Sequence, residues 1–201
     1  MINDILDTSR IEGNKLELHK ESFNLNEKIQ NVIKDLHSKI NLNLSHGKSF
    51  KINDITFEPQ GDPINVLADK VRIFEVISNL INNAIKFSNG QTITISTKKV
   101  PKKEIEAHLH HHQKEGSIVK TENKDEDMMM MVVVSIRDRD KGIDPDILPR
   151  LFTKFTTKSD QGTGLGLYIA KNIVQAHGGQ IWAQNNYDKD KGATFSFSLP
   201  L

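Results

Sequence analysis

Three polar side chains in one segment are spaced so that they could bind a metal ion and phosphate. Asn79, Asn83 and Lys86 stand at i, i+4 and i+7, which places them on one stripe of a helix, together with Glu75. Amide oxygens suit Mg²⁺, and an ammonium group neutralises phosphate. The alternative is an ordinary solvated helix face. The predicted buried face consists of Ile73, Val76, Ile77, Leu80, Ile81 and Ala84.

Alternate glycines before another helical pattern give a second chemical signal. Gly162, Gly164 and Gly166 lead into LYIAKNIVQA, and Gly178 and Gly179 end that pattern. Glycines directly before a helix let backbone N–H groups approach an anion, and the helix dipole adds positive potential. The spacing is not that of the dinucleotide fingerprint G-x-G-x-x-G, which also requires a preceding strand. The segment therefore indicates an anion-binding loop.

Helix and strand patterns alternate along the rest of the chain. An N-terminal helix is predicted to end at Gly13, Leu16 and Leu18 alternate with charges as in a strand, and a second helix is capped at Asn24 or Asn26. The run MMMMVVVSI predicts a central strand buried on both faces, followed by RDRDKGIDPD. Further strands are predicted at SFKINDITFEP, QTITISTKKV, QIWAQNN and ATFSFSLP, with a short extended stretch at NVLAD.

Residues 101–127 interrupt this alternation. They are charged, weakly periodic and poor in large apolar side chains, so we expect a solvated loop between two strands. The segment contains His108, His110, His111 and His112. Because neighbouring residues on a loop do not converge on one ion without further ligands, a metal site is the weaker interpretation.

Composition limits the classes of function. The chain has 201 residues, of which 36% are hydrophobic and 26% charged, as expected for one soluble domain with an appendage. Its formal net charge of +1 gives no general attraction to nucleic acid or to a membrane. No cysteine is present, which excludes disulfides, and no apolar run is long enough to span a bilayer. We expect a cytoplasmic domain, whose parent protein could be membrane-anchored.

Four segments in order resemble the sequence boxes of sensor histidine kinases of two-component systems. NLINNAIKFS resembles the N box, DRDKGI the first glycine box, LFTKF the phenylalanine box and GTGLGLYIAKNIVQAHGG the second glycine box. The chain is thereby identified as a member of the GHKL superfamily. The resemblance implies a Bergerat-type ATP-binding fold of the α/β (α+β) class. This is a two-layer sandwich with a mixed, mostly antiparallel sheet, helices on one face, and a mobile lid.

The N-terminal sequence resembles the end of the dimerisation and phosphoacceptor hairpin of those kinases. The implied organisation is the end of that hairpin at 1–13, a linker strand at 14–24 and the catalytic domain at 25–201, with the polar insertion inside it. None of His19, His37 and His177 stands in the family's phosphoacceptor context. We therefore expect a fragment of a longer kinase. We also expect a monomer, because a helix stump of two or three turns is marginal as a dimerisation element.

Residue roles follow by matching positions to the family's boxes. Asn83 matches the magnesium-binding asparagine, Lys86 a phosphate-contacting lysine, and Asp138 the aspartate that accepts a hydrogen bond from the adenine amino group. Asn79 and Lys86 are the implied catalytic residues, and ATP and Mg²⁺ the implied cofactors. The full implied nucleotide-binding set is Asn79, Asn83, Lys86, Asp138, Gly142, Ile143, Phe155, Gly162, Thr163, Gly164, Leu165 and Gly166.

Asn79 separates a kinase from an ATPase within the superfamily. Related ATPases carry a water-activating glutamate at this position, and an amide cannot act as that base. The implied reaction is therefore transfer of the γ-phosphate to a histidine of the dimerisation domain, from which a response regulator receiver domain is the next partner. A related serine kinase or a slow ATPase is an alternative. No nucleic acid or direct membrane contact is expected.

Two features bear on the strength of that assignment. Asp140 stands where the first glycine box has glycine, and a second carboxylate beside Asp138 could weaken ATP binding. A regulatory module that binds nucleotide or a partner, with impaired catalysis, is thus a further alternative. Phe152 and Phe155 match the hydrophobic anchors at the base of the lid, with packing in the core as the other interpretation.

Overall fold

Helices and strands alternate in the computed structural model, which describes residues 2–13, 15–42, 55–88, 90–112, 129–157, 163–187 and 191–201. The elements, in chain order, are α1 (Ile2–Glu12), β1 (Lys20–Asn24), α2 (Leu25–Leu42), β2 (Ile55–Pro59), β3 (Asn65–Asp69), α3 (Lys70–Phe87), β4 (Ile93–Pro101), α4 (Lys102–His112), β5 (Met130–Arg137), a 3-10 turn (Leu148–Arg150), α5 (Gly166–Ala176), β6 (Ile181–Asn185) and β7 (Ala193–Pro200).

A five-stranded sheet forms one layer, in the order β2-β4-β5-β7-β6. β2 runs parallel to β4, and the other neighbours are antiparallel. β1 and β3 form a separate antiparallel pair. Ile136 of β5 lies between Ile95 of β4 and Phe195 of β7, so side chains of one parity face the same core. The mixed, mostly antiparallel sheet is therefore confirmed, with β5 at its centre.

The second layer is formed by α2, α3 and α5, which pack on one face of the sheet. Side chains from these helices and from the inward face of the strands build one continuous apolar core. On α3, the buried residues are those that the spacing predicted, namely Ile73, Val76, Ile77, Leu80, Ile81 and Ala84. Burial of each of the large side chains contributes about 2 kcal/mol. The opposite stripe is thereby held toward the cavity described below.

Both ends of α3 are fixed by local hydrogen bonds. The Asp69 carboxylate caps the start, where its Oδ1 accepts hydrogen bonds from the N–H groups of Val71 (3.1 Å) and Arg72 (3.0 Å). At the other end, the Ser88 N–H donates to the Ala84 carbonyl, and Gly90 follows with φ of +81°. Gly90 thus lies in a turn that leads into β4.

Helix α4 corrects the loop predicted for the first part of the insertion. Ile105 is 4% exposed and contacts the buried Val100 and Met131, with Leu109 and Trp182 packed at the edge. These contacts lie on the sheet face opposite α2, α3 and α5. The spacing of Ile105 and Leu109 was a weak helical signal, hidden by the surrounding charges. Residues 113–128 lie outside the described part of the chain.

His108 has a packing role. Its ring lies 6.1 Å from the Trp182 ring, and its Nε2 is 2.8 Å from Gln184 Oε1. Within the described ranges, no group of three His, Cys, Asp or Glu side chains could hold a metal ion. In the same ranges, no helix combines the length and apolar character needed to cross a membrane.

Candidate functional site

A cavity of about 510 Å³ joins segments that are far apart in sequence. It lies between α3, the end of β5 and the start of α5. We call Asn79, Asn83 and Lys86 of α3 the rim, since all three line this cavity. Asp138 and Gly142 line it from the opposite side.

The rim belongs to a helix whose other polar residues have different neighbours. Asn79 Nδ2 donates to the Gly166 carbonyl (3.3 Å), which ties α3 to the start of α5. Glu75, predicted on the same stripe, instead forms an ion pair with Arg72 at 2.9 Å. Burial raises the pKa of Glu75, and the hydrogen bond from Arg72 opposes that effect. Glu75 therefore supports the start of α3 rather than lining the cavity.

Asp138 is a buried carboxyl group at the end of β5. It is 4% exposed, and its Oδ1 accepts hydrogen bonds from the N–H groups of Ala193 (3.1 Å) and Asp140 (3.3 Å). Burial raises the pKa of Asp138, as does the charge of Asp140 to a smaller extent, while the two N–H groups oppose the rise. An acceptor held in this way at the cavity wall can recognise an amino group of a ligand.

Asp140 occupies the position where the resembling family has glycine. Its backbone does not adopt positive φ, because Phe155 is the one non-glycine residue that does so within the described ranges. Asp140 is half-buried and is not a lining residue of the cavity. Its influence on the site reaches Asp138 through the backbone N–H and through its charge.

Two glycines permit close backbone contacts around Asp138. Gly142 has φ of +79°, and a Cβ there would lie 2.7 Å from Asn185 Oδ1. Gly192 has φ of +120°, and a Cβ there would lie 2.3 Å from the Asp138 carbonyl oxygen. We call Asp138, Gly142 and Gly192 the floor. A side chain at Gly142 would displace Asn185, and a side chain at Gly192 would displace the Asp138 backbone.

The backbone at Phe155 and the backbone at Gly164, on either side of the segment predicted to form the lid, approach each other closely. Gly164 has φ of +68°, and a Cβ there would lie 2.6 Å from the carbonyl carbon of Phe155. Thr156, Thr163 and Gly164 line the cavity, with Gly166 at the start of α5. Backbone N–H groups of this segment are therefore positioned beside the rim. Gly162, also predicted in the site, lies outside the described residues.

Two predicted site residues are placed elsewhere. Phe155 was expected to anchor the lid base, but it is 71% exposed and is not a lining residue. Its φ is +60°, and its ring lies outside the core, whereas Phe152 packs against the core. Leu165 is 4% exposed and packs in the core, while its N–H donates to Thr163 Oγ1 at 3.3 Å. Ile143, by contrast, lines the cavity.

Several lining residues were missed from the sequence. Asn82 is adjacent to the rim, and helical periodicity could have found it. Most of the others reach the cavity only through tertiary structure, from β7, from the segment after Ile143 and from α1. They are Asp4, Asp144, Ile147, Leu151, Thr156, Thr157, Ala193 and Phe195. Phe87 of α3 and Leu167 of α5 also line the cavity and lie on helices, so periodicity could have found them as well.

Helix α1 is held beside the cavity by ion pairs. Asp7 pairs with Arg72 of α3 at 3.0 Å, and both side chains are largely buried. Glu12 pairs with Lys154, whose ammonium also lies 5.1 Å from the centre of the Tyr168 ring. No local sequence pattern indicates these contacts, because the partners are more than 60 residues apart in the chain.

The chain is similar to known proteins over its whole length. Residues 68–201 match the family described as histidine kinase-, DNA gyrase B- and HSP90-like ATPases. Histidine kinase CKI1 of Arabidopsis thaliana is 27% identical over 230 residues, covering all of this chain and 20% of CKI1. The chain therefore spans about a fifth of the length of this relative.

Solved structures share the fold. The nucleotide-free catalytic domain of histidine kinase ThkA has a TM-score of 0.61 and 28% identity, with 90% of this chain and 95% of that domain covered. A ThkA complex with the response regulator TrrA has a TM-score of 0.61 and 25% identity, and the match covers 98% of this chain and 46% of that one. Full-length ShkA, solved with AMPPNP, has a TM-score of 0.69 and 22% identity, and the match covers 99% of this chain and 35% of ShkA. The fold implied by the resemblance is thus confirmed.

Proposed function

The chain belongs to the family of histidine kinase-, DNA gyrase B- and HSP90-like ATPases, and we propose that it is the ATP-binding catalytic domain of a sensor histidine kinase. Its reaction is transfer of the ATP γ-phosphate to a histidine of a dimerisation domain in the parent kinase. ShkA was solved with AMPPNP, which supports a nucleotide as the ligand.

The observation that carries the proposal is the convergence of floor and rim on one cavity. A volume of about 510 Å³ is in the range of small-molecule sites. Asp138 offers an acceptor for the adenine amino group, and Ile143 and Phe195 offer apolar surface for the ring. Lys86 and the backbone from Thr163 onward face the phosphate end. The two ends match the two chemical halves of ATP.

The rim fits a magnesium nucleotide. Mg²⁺ takes oxygen ligands, keeps several waters and often uses one or two protein groups together with phosphates. Asn83 supplies an amide oxygen in the same cavity as Lys86, so these residues would hold the ion and the phosphates. When bound, the ion neutralises phosphate charge. The protein residues orient the nucleotide.

Asn79 favours transfer to a protein side chain over hydrolysis. Its amide lacks a basic group to activate water, and its Nδ2 donates to the Gly166 carbonyl. Phosphoryl transfer depends mainly on positioning and charge stabilisation, so an incoming imidazole can act as the nucleophile. The ThkA complex with a response regulator supports a receiver domain as the later partner.

Transfer can be tested with the chain and a separately supplied dimerisation domain of a histidine kinase. With Mg²⁺ and ATP labelled at the γ-phosphate, we expect acid-labile label on the supplied domain. Asn83→Ala should lose most of it, whereas Asn172→Ala, on the far side of α5, should not. Label that is acid-stable, as on serine, or released only as free phosphate would contradict the proposal.

A further inference from the structure

We propose that Asn185 positions the base-binding wall of the cavity by acting as a substitute strand partner for Ile143. This role rests on the proposed nucleotide-binding function and belongs to a residue that does not itself line the cavity. Asn185 is the last residue of β6, and Ile143 lies beyond the end of β5. Ile143 and its neighbour Gly142 line the cavity.

Both polar atoms of the Asn185 side chain bind the backbone of one residue. Asn185 Oδ1 accepts a hydrogen bond from the Ile143 N–H at 2.6 Å, and Asn185 Nδ2 donates to the Ile143 carbonyl at 2.8 Å. In an antiparallel sheet, a residue on one strand likewise binds both the N–H and the carbonyl of the residue opposite it. The segment from 139 to 143 has no regular secondary structure, so this side chain replaces a strand that the segment lacks.

The fit around the pair leaves little room for another arrangement. A Cβ on Gly142 would lie 2.7 Å from Asn185 Oδ1 and 3.1 Å from the Gly192 carbonyl oxygen. Asn185 is also the β6 partner of Ala193, whose N–H binds Asp138 Oδ1. One residue thus connects the two parts of the wall, the segment carrying Ile143 and the strand that holds Asp138.

This placement predicts an effect on one half of the ligand. Loss of the amide would release Ile143 and Gly142, which face the base, and would leave the rim on α3 in place. Affinity for the adenosine half of a nucleotide should fall, while affinity for the phosphate half should not. If Asn185 only stabilised the fold, its loss would weaken the binding of both halves equally or of neither.

The test compares three probes, adenosine, Mg-ADP and Mg-tripolyphosphate, by calorimetric titration of the whole chain. For Asn185→Ala we expect about tenfold weaker binding of adenosine and of Mg-ADP, since two hydrogen bonds are lost, and unchanged binding of Mg-tripolyphosphate. Asn172→Ala is the matched control, because its Nδ2 donates to the Tyr168 carbonyl on α5 (2.8 Å), away from the wall. It should leave all three affinities unchanged.

A second variant keeps the proposal testable if alanine unfolds the protein. Asn185→Asp preserves the acceptor for the Ile143 N–H but sets a carboxylate against the Ile143 carbonyl, so it should also weaken adenosine selectively. Unchanged adenosine affinity in a folded Asn185 variant would overturn this inference alone. Absence of adenosine and Mg-ADP binding by the unsubstituted chain would overturn the proposed function together with it.

Discussion

The floor and the rim are constructed in different ways, although Asp138 and Gly142 of the floor line the same cavity as the rim. The rim is a set of side chains on one helix, whose backbone is regular and whose positions follow from a single period. The floor is built from backbone contacts between the end of β5 and the β6–β7 pair, with glycines where a Cβ would collide. A rim residue can therefore be exchanged with local consequences, whereas a change in the floor moves several segments together.

Gly192 gives the largest expected effect and tests the floor directly. Gly192→Ala adds a Cβ about 2.3 Å from the Asp138 carbonyl oxygen at φ of +120°, and we expect a loss of about 3 kcal/mol in the free energy of unfolding. Gly61→Ala is the control, because Gly61 has φ of +82° but no neighbour within 4 Å. It should lose about 1 kcal/mol. Equal losses in chemical denaturation would show that crowding at the floor is unimportant.

Asp138→Asn separates ligand binding from stability at the floor. The amide oxygen can still accept from the Ala193 and Asp140 N–H groups, but the variant exposes an amide to the ligand and should bind adenosine at least about tenfold more weakly. Because burial raises the pKa of Asp138, its contribution to folding stability falls as pH rises from 3.8 through the folded-state pKa.

Asp138→Asn carries no charge and therefore avoids the loss of stability that comes from ionising a buried carboxyl group. Its thermal midpoint at neutral pH should equal or exceed that of the unsubstituted protein. A lower midpoint, measured by calorimetry at pH 7, would mean that the carboxylate is needed for folding.

Asn79→Glu changes the chemistry of the rim without changing the floor. The carboxylate could act as the base that the amide cannot supply, so release of free phosphate from ATP should rise several-fold. Adenosine affinity should stay unchanged. An unaltered hydrolysis rate, in a variant that still binds Mg-ATP, would count against the role given to Asn79.

The smallest change is expected at His177, which holds the start of α3, the helix that carries the rim. His177 is 5% exposed, its Nε2 accepts from the Asp69 N–H (2.9 Å), and its Nδ1 lies 2.7 Å from the Ile173 carbonyl. Burial lowers the pKa of His177, and the Lys20 charge adds to this, while the Ile173 bond and the Asp69 charge oppose it. Protonation would remove the acceptor that holds Asp69, the cap of α3.

A lowered folded-state pKa means that stability is complete above the unfolded value of 6.5 and is lost as pH falls below it. We expect a loss of about 1 kcal/mol, comparable to one buried hydrogen bond, and His177→Gln should reduce this pH dependence. Denaturant midpoints measured between pH 7.5 and 5 provide the check. An identical slope in both proteins would exclude His177 as the source.

The sequence predicted the rim better than the floor for a physical reason. Helical periodicity is local, so the buried and polar faces of α3 could be assigned from spacing alone. Asp138 was found because it follows a strand and matches a family box. Asn185 and Gly192 act through β6 and β7 on a segment about 50 residues away, and no local pattern reports that contact. Phe155 lies outside the cavity lining, and its positive φ occurs where Gly164 closely approaches its backbone, a contact that no local pattern predicts.

The proposed function requires that one cavity bind the base at the floor and the magnesium phosphates at the rim. Titration of a fluorescent ATP analogue, with and without Mg²⁺, into the unsubstituted chain, Asn83→Ala and Asp138→Asn tests it most directly. We predict that Mg²⁺ strengthens binding to the unsubstituted chain, that Asn83→Ala abolishes this dependence, and that Asp138→Asn weakens binding under both conditions. No binding by the unsubstituted chain, or identical titrations for all three proteins, would contradict the account.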